Sequence, residues 1–278
     1  MRRRARRWQR VALATAFTLA AMLLPARTAF AWGRAGHRAA ARLAESRLSP
    51  AALAAIRGLL EEGESLADAS TWADEVRRSY AGSGPWHYVN VPISEPHYDA
   101  RFCPKGGCVV SKIGDFRKVL ADRDAPRAER QKALRFLVHF VQDMHQPLHV
   151  GDNKDRGGNG TQVRFFGKGS NLHRVWDSGL LDRGHGNEAD LLARISALAN
   201  AEDAKGWTSG TTEDWADESL QAARRAYGLA DLEEPLRKGS KLGEDYQAIH
   251  LPVAETRLAQ SGVRVAAILN AVFAEMAE

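Results

Sequence analysis

The sequence predicts a mainly α-helical protein whose mature part folds as one domain, and three observations lead to that reading. Helical signals, with caps and breakers at the ends of apolar runs, dominate the chain. One stretch alone, Gln162-Val-Arg-Phe-Phe166 between glycine-rich turns, reads convincingly as a strand. No repeat of solenoid length and no Pro/Ser-rich linker divides the sequence.

Taken in order, the first 31 residues stand apart from the fold. Arg2, Arg3, Arg4, Arg6, Arg7 and Arg10 make a basic start, Val11 to Leu24 is apolar, and Ala29-Phe30-Ala31 is a small-residue cleavage site. The apolar run breaks at Pro25, short of the roughly 18–20 residues a membrane span needs. Residues 1–31 therefore read as a signal peptide cleaved after Ala31, giving a periplasmic or extracellular protein with no membrane attachment after processing. No Cys precedes Cys103, so a lipid-modified N-terminal Cys is excluded, and the twin arginines leave the export route open. The segment holds seven Arg and no acid, so its loss takes the net charge from +5 to −2. The basic character of the whole chain is thus not a nucleic-acid footprint, and a mature chain that bound phosphates would need cations to help.

Residues 32–278 are enough for a full core. Ser49 as cap and Pro50 at the first helical position predict a helix through Ala51–Leu60. A second helix is expected from Asp124 to Met144, with Leu134, Leu137, Val138 and Val141 on one face. Thr211 or Thr212 caps another running to Tyr227 and stopped by Gly228. Leu242 to Met276 reads as one or two helices bent near Pro252. Between them, residues 84–110 hold four prolines and should form an extended loop pinned by a local disulfide between Cys103 and Cys108, a C-x4-C zinc pair being the alternative. Residues 151–160 are polar and glycine-rich; Asn159-Gly-Thr161 matches a glycosylation sequon but reads better as a turn.

The chemistry concentrates in Leu137-Val-His139-Phe-Val-Gln-Asp143-Met-His-Gln-Pro147-Leu-His149 and in His173-Arg-Val-Trp-Asp177. His139 and Asp143 are four residues apart, as are His173 and Asp177, so each pair projects from one helix face. Imidazole with carboxylate suits a borderline-soft divalent metal such as zinc. Pro147 would end the first helix and let His149 turn inward. His145 lies about 200° from Asp143 around a helix and is read as outside the ligand set. His97, His185 and His250 lack ligand spacing and read as loop or surface residues, and Trp176, Phe165 and Phe166 as core.

Trp32-Gly-Arg-Ala-Gly-His37, Trp72-Ala-Asp74-Glu-Val-Arg77, Trp86-His87-Tyr-Val-Asn90, the His139–His149 segment, Gly157-Gly-Asn159 and Asn171-Leu-His173-Arg-Val-Trp-Asp177 follow one another in this order. Together they resemble the nuclease S1/nuclease P1 family, zinc-dependent nucleases specific for single strands, along the whole mature chain. The resemblance implies a helical phospholipase C/P1-nuclease-like fold with a short β-hairpin and long loops around a cleft holding three Zn2+. It implies that Asp74, His87, His139 and Asp143 hold the first zinc. Asp143 would also reach a second, bound by His37 and by the α-amine and carbonyl oxygen of Trp32, and His149, His173 and Asp177 would hold a third, more exposed one. An α-amine titrates near 8, so it yields to a metal far more readily than Lys would.

The implied activity is hydrolysis of single-stranded DNA and RNA to 5′-nucleotides, with phosphate release from 3′-nucleotides, by a monomeric enzyme. Asp74 or Asp143 would orient the attacking water, acidified by zinc, and Arg77, a turn beyond Asp74, would stabilise the added phosphate charge. Tyr88 is the stacking candidate, and Asn90 and Asn159 stand with it as substrate-binding residues. Asn90 occupies a position where fungal members carry Asp, which leaves base preference open. Trp215-Ala-Asp217-Glu repeats the Trp72-Ala-Asp74-Glu string, but Asp74, lying between His37 and His87, is the stronger ligand candidate. A phospholipase C on the same scaffold and a non-catalytic zinc-binding protein are the alternatives; Asp177, where the lipases carry Glu, and Arg77 favour the nuclease.

Overall fold

The computed structural model describes residues 32–232 and 234–274, so the expected signal peptide and Met276, the expected end of the last helix, lie outside the described residues. The longer helices are α1 (Gly33–Glu45), α2 (Pro50–Leu59), α3 (Leu66–Val76), α4 (Val109–Ala121), α5 (Arg127–His145), α6 (Glu188–Ala199), α7 (Thr212–Ala226) and α8 (Glu244–Ala274). The mainly α reading holds.

Helix α5 is the axis. Every side chain from Phe136 to His145 is buried, as expected for a helix surrounded by others; α3, α4, α7 and α8 all pack against it. Phe136 stacks on Phe140 and on Phe116 of α4, Phe140 meets Phe116 at a tilt, and Trp72, Tyr80 and Trp86 surround Phe136. Each such ring contributes about 2 kcal/mol through its burial. The same helix buries Gln142, Asp143 and His145, and polar groups at such depth require partners.

Capping follows the sequence closely. The Ser49 side chain accepts from Ala52 N ahead of α2, and Thr211 and Asp214 form a reciprocal box at the start of α7. Three boundaries differ from expectation. Helix α5 starts at Arg127, because Pro126 itself is the extended cap residue. The strand ends at Phe165, since Phe166 takes a left-handed φ of 47° in a tight turn. Lys241–Leu242 is a strand, with α8 starting only at Glu244 and then running as one helix through Pro252.

Two small sheets bring the loops together. Strands β1 (Val91–Pro92) and β2 (Gly151–Asp152) pair in parallel, and Val89 N donates to the His149 carbonyl at 2.8 Å. Strand β3 (Gln162–Phe165) pairs antiparallel with β4 (Lys168–Asn171) as the expected hairpin and in parallel with β5 (Lys241–Leu242). Cys103 and Cys108 are disulfide-bonded, as expected, at the entry to α4. The segment Leu172–Gly184 is helical throughout but widens into a π-turn over Val175–Gly179.

Candidate metal centre

Four donor atoms converge where α3, the turn Gly84–His87 and α5 meet. His87 Nδ1 lies 2.9 Å from Asp143 Oδ2, 3.1 Å from His139 Nε2 and 3.8 Å from Asp74 Oδ1. His139 Nε2 lies 3.1 Å from Asp143 Oδ2 and 3.7 Å from Asp74 Oδ1. A tetrahedron of bonds near 2.0–2.1 Å has edges of roughly 3.3 Å, and these separations bracket that value. The other carboxylate oxygen of Asp143 is 3.5 Å from His37 Nε2, so Asp143 presents one oxygen to each of two donor sets. A third set lies one turn further on: His173 Nε2 is 3.5 Å from Asp177 Oδ2, and His149 Nε2 is 4.0 Å from Asp177 Oδ1. The groupings His37/Asp74/His139, His87/His139/Asp143 and His149/His173/Asp177 each bring their donors close enough to hold a metal ion.

Hydrogen bonds behind the rings fix which nitrogen faces the centre. Nδ1 of His139 donates to the Ser70 carbonyl, of His149 to the His87 carbonyl, of His173 to the Gly157 carbonyl and of His37 to Gln142 Oε1, at 2.5–2.7 Å. With Nδ1 protonated, Nε2 offers its lone pair inward, the arrangement that orients metal-ligating histidines. Gly157 must be glycine for this, because its φ is +58° and a Cβ there would collide with the Leu148 carbonyl. Three donor atoms of these sets, His37 Nε2, Asp143 Oδ1 and Asp177 Oδ2, are buried without a hydrogen-bond partner, and burial without a partner is costly. Donor chemistry, spacing and orphaned atoms all fit bound cations.

The electrostatics say the same. Burial pushes the Asp74 carboxyl up to about 7 and that of Asp177 up to about 6, as happens when a carboxylate lacks its counter-charge. Burial lowers His37 to about 3, His87 to about 4 and His149 to about 3, which keeps them neutral. Burial also opposes charge on His139, but Asp143 and Asp74 outweigh it and raise that imidazole to about 9.

Above the donors opens a cleft of about 870 Å³. Asp74, Arg77, Tyr88, Asn90, His149, Asn159 and His173 all line it, so the candidate base and phosphate contacts share one space with the donors. Arg77, which follows the last turn of α3, donates to the Gly84 carbonyl at 3.4 Å. Trp32 is buried, and its indole N–H donates to the Gln142 carbonyl at 2.9 Å, tying the start of α1 to α5.

A model of the S1/P1 Nuclease family matches residues 32–274. The chain belongs to the S1/P1 nuclease family. It is 34% identical to Endonuclease 2 of Arabidopsis thaliana over 87% of this chain and 90% of that protein. It is 30% identical to Nuclease S1 of Aspergillus oryzae over 91% and 96%, and 29% identical to Nuclease P1 of Penicillium citrinum over 87% and 97%. This S1/P1 nuclease is therefore a hydrolase of phosphodiester bonds, and its His/Asp sets could bind metal.

Within this nuclease, other residues fall where the sequence suggested or depart from it. His145 points away from the donors, its Nε2 2.8 Å from Arg264 on α8. Asp217 is remote from the cleft and accepts from Tyr98 N and pairs with His97, so the second Trp-Ala-Asp string anchors the 84–110 loop. Trp176 is core, as expected, whereas Phe165 and Phe166 are only half-buried. His250 corrects its surface reading: it is buried on α8, 4.0 Å from the Tyr246 ring, because the helix turns that face toward Trp176. Sequence reasoning passed over Gln142 and Gln146. Their signal was available, since two glutamines a helical turn apart lie on either side of Asp143, among the histidines of a stretch that is otherwise apolar.

Proposed function

We propose that this chain is an exported, monomeric, zinc-dependent endonuclease that cuts single-stranded DNA and RNA to 5′-nucleotides and releases phosphate from 3′-nucleotides. The observation that carries the reading is the convergence of three His/Asp donor sets on the floor of one cleft, with the Nδ1 hydrogens of His37, His139, His149 and His173 already engaged. In this reading Asp74, His87, His139 and Asp143 hold one zinc, and Asp143, His37 and the backbone of Trp32 hold a second. His149, His173 and Asp177 hold the third. Bound zinc would supply positive charge for the phosphate and lower the pKa of water toward neutrality.

The chain's own groups do the rest. Asp74 and Asp143 accept hydrogen bonds from the attacking water and orient it toward phosphorus. The Arg77 guanidinium, aimed into the same cleft, gives paired donors to the phosphate oxygens as charge accumulates. Tyr88 supplies a ring for base stacking, and the Asn90 and Asn159 amides offer both donor and acceptor to base edges. A phosphate reaches donors at a cleft floor only when its base can splay outward, which favours single strands. Cleavage after Ala31 would expose the α-amine of Trp32 to the second site.

The test is release of acid-soluble nucleotides from single-stranded DNA, single-stranded RNA and duplex DNA by the processed protein, with and without chelator, beside elemental analysis. Chelator-sensitive release from both single strands, well above release from duplex, with about three zinc per chain supports the reading. Equal cutting of duplex, or activity that survives complete zinc removal, overturns it.

A further inference from the structure

A second groove, of about 510 Å³, runs along β3 and β4 beside the cleft. Its lining includes Arg164, Arg174 and Lys238 and not one acidic side chain. Asn171 lines both this groove and the cleft, so the two adjoin at that side chain. That concentration of cations runs against the −2 net charge of residues 32–278. Exposed cations elsewhere are commonly paired, as in Arg34–Glu75, Arg42–Glu188 and Arg101–Glu95. Among the described residues Arg164 has only the Gly167 carbonyl at 3.3 Å, and Lys238 has no acidic partner. Arg174 is near enough to Asp182 to favour its ionised form, though burial holds that carboxyl above its usual range.

The floor suits a polyanion. Gly169 sits opposite Arg164 in the β3–β4 register, and nothing lies within 4 Å of where its Cβ would be. The Arg164 side chain therefore stands beside open space. On the far side Gly239 N donates to the Gln162 carbonyl at 2.7 Å, which fixes the Lys238 turn against β3. Three cations are held on a scaffold of strand, helix and anchored turn, with no competing acid between them.

We infer that this groove is a backbone track for the polynucleotide, binding phosphates of nucleotides beyond the one being cut. The inference rests on the single-strand nuclease reading above and extends it to substrate length. Each phosphate neutralised on a single strand steepens the salt dependence of log affinity by about 0.7. Three cations acting on three phosphates thus contribute a slope of about 2, felt by a long strand and not by a dinucleotide, which the cleft alone accommodates.

The experiment compares the zinc-loaded, processed enzyme with a triple variant, Arg164→Gln, Arg174→Gln and Lys238→Gln. KM is measured on a single-stranded 12-mer and on a dinucleotide across a series of sodium chloride concentrations. For the 12-mer, KM should rise on the order of tenfold at low salt and the log–log salt slope should shrink by about 2. For the dinucleotide, kcat, KM and salt slope should all match the parent enzyme, which also shows that the variant is folded. An unchanged 12-mer slope overturns the track. So does an equal loss on both substrates, because the cations would then act in the cleft or on the fold. A parent enzyme that cuts neither substrate defeats the nuclease reading itself, an outcome distinct from both.

Discussion

Gln146 Nε2 donates to Asp177 Oδ1 at 2.5 Å while Gln146 Oε1 accepts from Leu148 N at 2.6 Å. One buried amide thus joins the end of α5 to the π-turn that carries Asp177 and to the turn that carries His149. We predict that Gln146→Ala weakens the third site selectively, by about 10- to 100-fold in metal affinity, the range for lost ligand-orienting contacts. Zinc titration of the chelated protein should show two ions bound as before and one bound weakly. Uniform weakening of all three, or none, contradicts this role.

His139 gives the metal-free protein a pH dependence above neutrality. Its folded pKa, raised to about 9 by Asp143 and Asp74 against the cost of burial, lies above the usual 6.5. The pairing therefore contributes stability that is complete below about 6.5 and disappears as pH climbs toward 9. Chelated protein should lose melting temperature between pH 7 and 9.5. Zinc-loaded protein should not, because coordination has already displaced that proton. Parallel melting curves across this range would refute the assignment.

The two Trp-Ala-Asp strings should separate on substitution. Asp143→Asn ought to be the most damaging change, since an amide cannot serve two donor sets with charge, and Asp74→Asn should also abolish most activity. Asp217→Asn should leave kcat close to the parent value while lowering stability by about 1 kcal/mol through the weakened Tyr98 and His97 contacts. Activity assays beside thermal melts distinguish these outcomes, and loss of activity at Asp217 with retention at Asp74 reverses the assignment.

An extra residue ahead of Trp32 should cost at least about tenfold in activity, because an amide nitrogen replaces the terminal amine as a ligand. The indole bond to the Gln142 carbonyl should keep the fold intact. Met-Trp32 protein and exported, processed protein would be compared at saturating zinc, with mass spectrometry confirming each terminus. Equal specific activity rules out the amine as a ligand.

Much of this was legible in residue order. The caps at Ser49 and Thr211 mark their helices because they satisfy the first free N–H groups locally. The His-x3-Asp pairs at His139 and His173 are legible because helical spacing alone sets their geometry. What escaped depends on distant partners. Leu242 reads as helix until Phe166 N is seen donating to its carbonyl at 2.9 Å. His250 reads as exposed until Trp176 and Tyr246 close over it. Gln142 and Gln146 look like ordinary helix polar residues, and only the position of His37 and Asp177 across the fold reveals their work. Those two glutamine bonds join residues 105 and 31 positions apart, beyond any local pattern.

The widened turn at Val175–Gly179 carries one more consequence. In a regular helix, Asp177 would share a face with Leu180 and Leu181, three and four residues on. Here Asp177 belongs to the donor set while both leucines pack in the core. One additional residue per turn rotates everything downstream by about 100° relative to what precedes it. The segment thereby turns Asp177 to the donors while Leu172, Val175 and Trp176 before it and Leu180 and Leu181 after it stay in the interior. Deleting Ser178 would restore the regular winding and force a choice between holding the metal and closing the core.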